Sequence, residues 1–326
     1  MALNSYWPNI ADFGAGPLPV FSLAYAIGHL TPAMVLSCAS FENAIEVAMS
    51  RRAGEHCAVS LDDFDAASRK VPLIANILPT GNTYLMEDFY YAGGMQAMMS
   101  GLTGHLKLDA MTVSGCTMGE NLQGAEVYND DVIRPLHNPI YAEGALAVLR
   151  GNLAPDGCVI KLSVCAPQYL QHTGPALVFD DYPSMKAAID DENLDVTADH
   201  VMVLRNAGPQ GGPGMPEWGM LPIPLKLVKQ GVKDMLRISD ARMSGTSYGA
   251  CILHVAPESY IGGTLALVKT GDLITVDVPA RRIHMEVSDE ELAQRRAAWT
   301  PQPKRFERGY GWMAAPYPAG GPGMRF

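Results

Sequence analysis

Leu273-Ile-Thr-Val-Asp-Val-Pro-Ala-Arg-Arg-Ile-His-Met-Glu-Val287 sets the fold class of this chain. Two runs of strand-forming residues flank Pro279-Ala280, and in the second Ile283, Met285 and Val287 alternate with Arg282, His284 and Glu286. A period of two puts apolar side chains on one face and polar ones on the other, so the segment reads as a hairpin with one buried face. Ser288-Asp-Glu-Glu-Leu292 then opens a helix that runs to about Trp299. Ser288 and Glu291 form a capping box, and Val287 and Leu292 stand where a hydrophobic staple would close.

Working back from the hairpin, strand-length runs recur between Gly and Pro turns: Met111–Ser114, Leu146–Arg150, Val159–Leu162, Ala176–Phe179, Val201–Leu204, Met235–Ile238 and Cys251–Val255. That rhythm predicts a mainly β, barrel-like domain over residues 105–310 with flanking helices. Residues 311–326 read as a loop tail ending in a Pro-Ala-Gly-Gly-Pro-Gly run. Before residue 105 the pattern is α/β. Ser60-Leu-Asp-Asp63 marks a helix start, Val71–Leu78 reads as a strand, and Met86–Leu102 reads as helix interrupted at Gly93-Gly94. The whole is thus of the α+β class, with one domain over 1–104. Residues 1–40, rich in Pro and Gly, show no period and receive no function.

The 326 residues are 48% hydrophobic and 18% charged, which suits a folded protein rather than a disordered one. A net charge of −10, with no basic cluster beyond pairs such as Arg281-Arg282, argues against a nucleic-acid partner. The first basic residue is Arg51, and the apolar run Val20–Leu36 is broken by Gly28, His29 and Pro32. Neither a secretory leader nor a membrane span is expected, and the expected compartment is the cytoplasm. Cys38, Cys57, Cys116, Cys158, Cys165 and Cys251 show no C-x-x-C spacing and read as buried free thiols.

Two loops concentrate the chemistry. Gly211-Gly-Pro-Gly-Met-Pro-Glu-Trp-Gly219 offers a carboxylate at Glu217. Arg237-Ile-Ser-Asp-Ala-Arg-Met-Ser-Gly-Thr-Ser-Tyr-Gly249 offers Asp240, Arg242 and the hydroxyl of Ser244 among glycines. Glycine lets a backbone approach a ligand closely, and buried charges need a partner or a metal. Asp240 and Arg242 orient either the loop or a substrate carboxylate, or else pair with each other; Gly245 and Gly249 read as backbone requirements. Weaker candidates are Asn152 and Lys161 around the Gly151–Gly157 turn, Glu87, Asp88 and Tyr90, and the single histidines His137 and His254.

Together with Tyr84–Gly94, Leu108–Gly115, Gly119–Leu122, Ala147–Gly157 and Ser288–Leu292, these loops make the chain resemble the IlvD/Edd dehydratases, the dihydroxy-acid and sugar-acid dehydratase family, from about Phe41 to about Gly311. The resemblance implies a hydro-lyase that removes water from a 2,3-dihydroxy carboxylate to give a 2-keto acid. It implies Mg²⁺ to stabilise the developing enediolate and an iron–sulfur cluster to accept the leaving hydroxyl. By motif correspondence Ser244 matches the general base and Glu217 a Mg²⁺ ligand, with Asp240, Arg242, Gly245 and Thr246 orienting substrate or loop. Ser239-Asp-Ala-Arg-Met-Ser-Gly-Thr246 is closer to the arabinonate and xylonate branch than to the branch serving branched-chain amino acids. The implied partner is a small polyhydroxy carboxylate, and the implied assembly a homo-oligomer.

The chain also departs from the family, whose members are nearly twice as long and carry their cluster cysteines, paired aspartates and carboxylated lysine in an N-terminal domain. Those motifs are not found here. Phe41–Ser50 leads instead into Arg51-Arg-Ala-Gly54, so residues 1–104 read as a shortened remnant of that domain, and none of the six cysteines matches an iron–sulfur ligand. Three readings follow: a dehydratase completed by another polypeptide carrying the N-terminal half, an inactive fragment, or a carboxylate-binding module.

Overall fold

The computed structural model describes residues 61–314, other than 82, 113, 214, 215, 244–246 and 304. It is a mixed α and β structure that divides into two compact units, Met1–Leu146 and Ala147–Phe326.

In the first unit α1 (Leu61–Ser68) buries Phe64 and Ala67. The extended run after it, expected as a strand, forms isolated bridges: Leu73 to Tyr141, Ala75 to Ile133 and Ile77 to Tyr84. The helical stretch breaks where the glycines stand, giving α2 (Met86–Tyr91) and α3 (Gly94–Gly101). Gly93 sits between them at φ +113°, and a Cβ there would lie 2.3 Å from the Glu126 carbonyl oxygen. Residues 105–146 fall in this unit. Met111–Ser114 is no ladder strand. Met111 only bridges Thr117, because the Thr112 hydroxyl donates to the Cys116 carbonyl and accepts from the Asn121 amide, bending the chain ahead of α4 (Met118–Asn121).

The second unit is built on an eight-stranded sheet in the order β1-β2-β6-β5-β4-β3-β7-β8. The strands are β1 (Leu146–Leu149), β2 (Gly157–Lys161), β3 (Gln171–Phe179), β4 (Val201–Leu204), β5 (Arg237–Ser239), β6 (Cys251–Ala256), β7 (Leu273–Asp277) and β8 (Arg282–Met285). β3, β4, β5 and β6 run parallel to their neighbours, while β2 joins β6, β7 joins β3 and β8 joins β7 antiparallel. The two outer strands meet. Arg150 bridges Arg282, with the Arg150 amide on the Arg281 carbonyl at 3.0 Å and the Ile283 amide on the Arg150 carbonyl at 2.9 Å. This single bridge nearly closes the sheet into a barrel and covers part of the edge that an open sheet would leave. Gly151 lies so close to β8 that a Cβ would come within 1.7 Å of the Ile283 oxygen.

The interior is apolar, with Leu149, Ile160, Phe179, Val203, Ile238 and Ile283 among its residues. β1, β2, β4, β5 and β6 are buried at every position, whereas β8 alternates between exposed and buried as its sequence pattern predicts. α7 (Asp289–Ala298) starts at Ser288, whose hydroxyl accepts from the Glu291 amide at 3.2 Å. Glu291 pairs with Arg295 and Lys269. Shorter helices, α5 (Tyr182–Ala188) and α6 (Leu225–Lys229), fill the connections after β3 and before β5, and α8 (Gly309–Ala314) follows α7. Among the described residues no helix is long and apolar enough to cross a membrane.

Candidate active site

The C-terminal ends of β3, β4, β5 and β6 lie along one edge of the sheet, so the chain leaves all four toward the same side. Three of these exits carry buried polar residues close behind the strand: Asn206 after β4, Asp240 after β5, Glu258 and Ser259 after β6. Asp240 is 1% exposed. Its carboxylate accepts from the Ala207 amide at 3.0 Å, the Ser259 amide at 2.8 Å and the Ser259 hydroxyl. The same hydroxyl oxygen accepts from the main-chain N–H of Asn206 at 2.7 Å. One carboxylate thereby ties three exits together.

Glu258 does the same for the next turn, accepting from the Gln210 amide at 3.0 Å. Gly208 leaves room for this carboxylate, since a Cβ there would lie 2.1 Å from a Glu258 carboxylate oxygen. Burial raises both acids, and Glu258, with Asp240 nearby, is pushed up to about 8. The backbone donors oppose the shift without cancelling it.

Above this base the two glycine-rich loops meet. The Gly219 amide donates to the Arg242 carbonyl at 2.7 Å, and an Arg242 guanidinium nitrogen lies 3.2 Å from a Glu217 carboxylate oxygen. A Cβ on Gly219 would come within 2.6 Å of the Arg242 oxygen, so only glycine allows this approach. Trp218 stacks on Tyr182 at the start of α5, with ring centroids 5.0 Å apart and planes 12° from parallel. Glu217 itself is half-exposed. Asp240 and Arg242, two residues apart in sequence, thus have separate tasks: the aspartate holds the loop bases and the arginine faces the facing loop. Ser244, Gly245 and Thr246 lie outside the described residues.

The weaker candidates take structural places. Asn152 sits in the Gly151–Ala154 turn, but its side chain bonds away from that turn. Its amide donates to the Met285 carbonyl and its oxygen accepts from the Met285 amide, each at 2.8 Å, so the side chain extends the β8 ladder where the barrel closes. Lys161 is buried rather than solvated. Asp88 accepts from the Leu85 amide and caps α2, while Glu87 and Tyr90 are exposed. His137 is exposed. His254 is buried at a break in the β2–β6 register, with φ +54°, and its pKa is pulled down to about 3 by burial and by Arg242. Cys158, Cys165 and Cys251 are buried as expected and Cys116 is exposed; Cys38 and Cys57 lie outside the described residues.

Among the described residues no group of three His, Cys, Asp or Glu side chains gathers as a metal site. Glu217 brings one carboxylate, and it faces a guanidinium. The buried thiols of Cys158, Cys165 and Cys251 do not gather into a group of three with each other or with other such ligands among the described residues, whereas a cluster is held by several thiolates. The described residues by themselves therefore fit neither a Mg²⁺ centre nor an iron–sulfur cluster. Of the Asp240, Glu258, Ser259 and Asn206 network only Asp240 stands out in the sequence, where the members lie up to 53 residues apart. The one signal was an acid two or three residues beyond the end of each of two strand-length runs, Asp240 after Met235–Ile238 and Glu258 after Cys251–Val255.

Residues 131–317 match the C-terminal model of the dihydroxy-acid/6-phosphogluconate dehydratases, and residues 22–121 match the N-terminal one. The chain is 52% identical over 267 residues to a 6-deoxy-6-sulfo-D-gluconate dehydratase of Pseudomonas putida, covering 81% of this chain and 46% of that protein. It is 44% identical over 301 residues to an L-arabinonate dehydratase of Rhizobium leguminosarum bv. trifolii, covering 87% and 52%. A dihydroxy-acid dehydratase of Synechococcus is 41% identical over 308 residues, covering 88% and 53%. The chain spans about half the length of these relatives. With family models matching on both sides of residue 125, and the two motif loops joined at Gly219 and Arg242, the chain belongs to the dihydroxy-acid/6-phosphogluconate dehydratase family.

Proposed function

We propose that this chain is the base-bearing part of a sugar-acid dehydratase, which removes water from a 2,3-dihydroxy carboxylate of the arabinonate or xylonate type to give the 2-keto-3-deoxy acid. The observation that carries the proposal is the meeting of the Glu217 loop with the Arg242 loop at the C-terminal ends of parallel strands, where α/β sheets bind their ligands. Relatives named for sulfogluconate and arabinonate favour the sugar-acid branch over the dihydroxy-acid one.

Ser244 serves as the base that takes the proton from the carbon next to the carboxylate. A serine hydroxyl barely ionises at neutral pH, so it needs positive charge beside it. Arg242 stands two residues before Ser244 and pairs with Glu217, bringing a guanidinium to that loop. Trp218, stacked on Tyr182, ties the Glu217 loop to the start of α5. Assistance to the leaving 3-hydroxyl is assigned in this proposal to the complementing N-terminal half.

The test is turnover. Prepared anaerobically with iron, sulfide and Mg²⁺, the chain is expected to leave arabinonate, xylonate and 2,3-dihydroxyisovalerate unchanged by itself. Co-produced with the N-terminal half of a sugar-acid dehydratase, it should form the keto acid from the sugar acids, and Ser244→Ala should abolish this. Keto acid from the Ser244→Ala sample would remove Ser244 as base, and no turnover in the complemented sample would favour a fragment or a binding module.

A further inference from the structure

The far ends of the two loops, where they return toward α6 and β6, close on one buried ion pair that the proposed reaction does not use. Arg237 opens β5 and is 1% exposed. Its Nη2 donates to Asp234 at 2.7 Å and reaches the Tyr248 carbonyl at 3.5 Å, Nη1 donates to the Leu221 carbonyl at 2.9 Å, and Nε to the Met235 carbonyl at 3.1 Å. Asp234 in turn accepts from the amides of Ala250 at 3.0 Å, Met235 at 2.9 Å and Ala166 at 3.2 Å. Leu221 ends the Glu217 loop, while Tyr248 and Ala250 end the Ser244 loop. One guanidinium and one carboxylate thus hold both.

Packing alone does not ask for an arginine here. In the sheet Arg237 stands between Met202 and Cys251, and an apolar residue would continue that layer. Burying an ion pair rarely stabilises more than well-packed apolar residues of the same volume, so its use here is geometric. A planar fork that donates in several fixed directions suits that use, and a lysine ammonium cannot reproduce it. Gly249 supports the same reading on two counts. It has φ +97°, and a Cβ would lie 2.0 Å from Arg237 Nη2 and 2.6 Å from the Asp234 carboxylate. The returning loop therefore runs directly against the pair.

We infer that Arg237 and Asp234 are positioning residues that fix the register between the Glu217 and Ser244 loops. The inference rests on the reading of these loops as the active site, but its test does not depend on turnover. The reporter is the Gly219 amide, which joins the loops through the Arg242 carbonyl, and the control is the Ile283 amide, which closes the barrel at Arg150. Hydrogen exchange would be followed residue by residue in the full chain, for Arg237→Met, Arg237→Lys and Gly249→Ala.

In Arg237→Met the Gly219 and Ala250 amides should exchange at least about tenfold faster while Ile283 stays within about twofold, with Arg237→Lys in between. Gly249→Ala, which pushes the loop off the pair, should give the same pattern and decides the matter if Arg237→Met does not fold. An unchanged Gly219 amide, or equal acceleration of Gly219 and Ile283, would overturn the inference. If Ser244→Ala leaves turnover intact while Gly219 loosens as described, the site reading fails and the positioning role stands.

Discussion

The β7–β8 hairpin and the exits of β4, β5 and β6 belong to one barrel and are held in opposite ways. In the hairpin Ile274, Val276, Ile283 and Met285 face inward, the neighbours face solvent, and the pairing from Ile274–Met285 to Asp277–Arg282 is continuous. At the exits the strands are buried throughout and end in Asp240, Glu258 and Ser259, whose bonds run to backbone amides of other loops. The hairpin is secured by area removed from water and by a regular ladder. The exits are secured by a few polar groups, each satisfied only if every loop is in place. Stability is therefore spread evenly in the first region and concentrated in single residues in the second, which is also where the chemistry is proposed to occur.

That contrast can be broken by mutation. Asp240→Ala would leave the Ala207 and Ser259 amides without their acceptor in a buried place, and about 3–5 kcal/mol of stability should be lost. Ile283→Ala in the hairpin removes apolar volume and should cost about 2–4 kcal/mol. Urea midpoints at unchanged slope measure both, and a smaller loss for Asp240→Ala than for Ile283→Ala would dissolve the distinction.

The next effect is a pH dependence confined to the exits. Glu258 has its folded pKa raised to about 8 from 4.5, so the folded state holds a proton that the unfolded state releases. Its contribution is full below pH 4.5 and is lost as pH rises through the window up to about 8, at about 1.4 kcal/mol per unit of displacement. Glu258→Gln should flatten the fall in melting temperature between pH 5 and 8. An unaltered pH profile would mean that the carboxyl is ionised in the folded protein. The smallest effect is expected at Glu217, a half-exposed partner of Arg242. Glu217→Gln should change stability by less than about 1 kcal/mol, and a loss of several kcal/mol would mark the pair as structural.

The two regions also differed in how far they could be read from residues alone. The hairpin carries its own period, Val201–Leu204 was bounded by turns on both sides, and Ser288 announced the helix that follows. Each is a local signal. Asn152 pairs with Met285 across 133 positions, and Asp240 with Ser259 across 19. No spacing encodes such contacts, and an Asn beside a glycine looks like any turn residue until the closing strand is in place. Met111–Ser114 misled for a related reason: its strand-forming composition was overridden by the hydroxyls of Thr112 and Ser114 bonding within the bend. The glycine-rich loops could be recognised as motifs, yet which residue faces which depended on the approach of Gly219 to Arg242.

Glu217 and Ser244 are proposed to act in one site, and the separation of their side chains in a crystal structure decides the matter. The Ser244 hydroxyl is expected beside the Glu217–Arg242 pair, with Glu217 and Ser244 linked directly or through one bridging water or ion. The two side chains on opposite faces, more than about 12 Å apart and beyond hydrogen-bond reach even through a water, would contradict it.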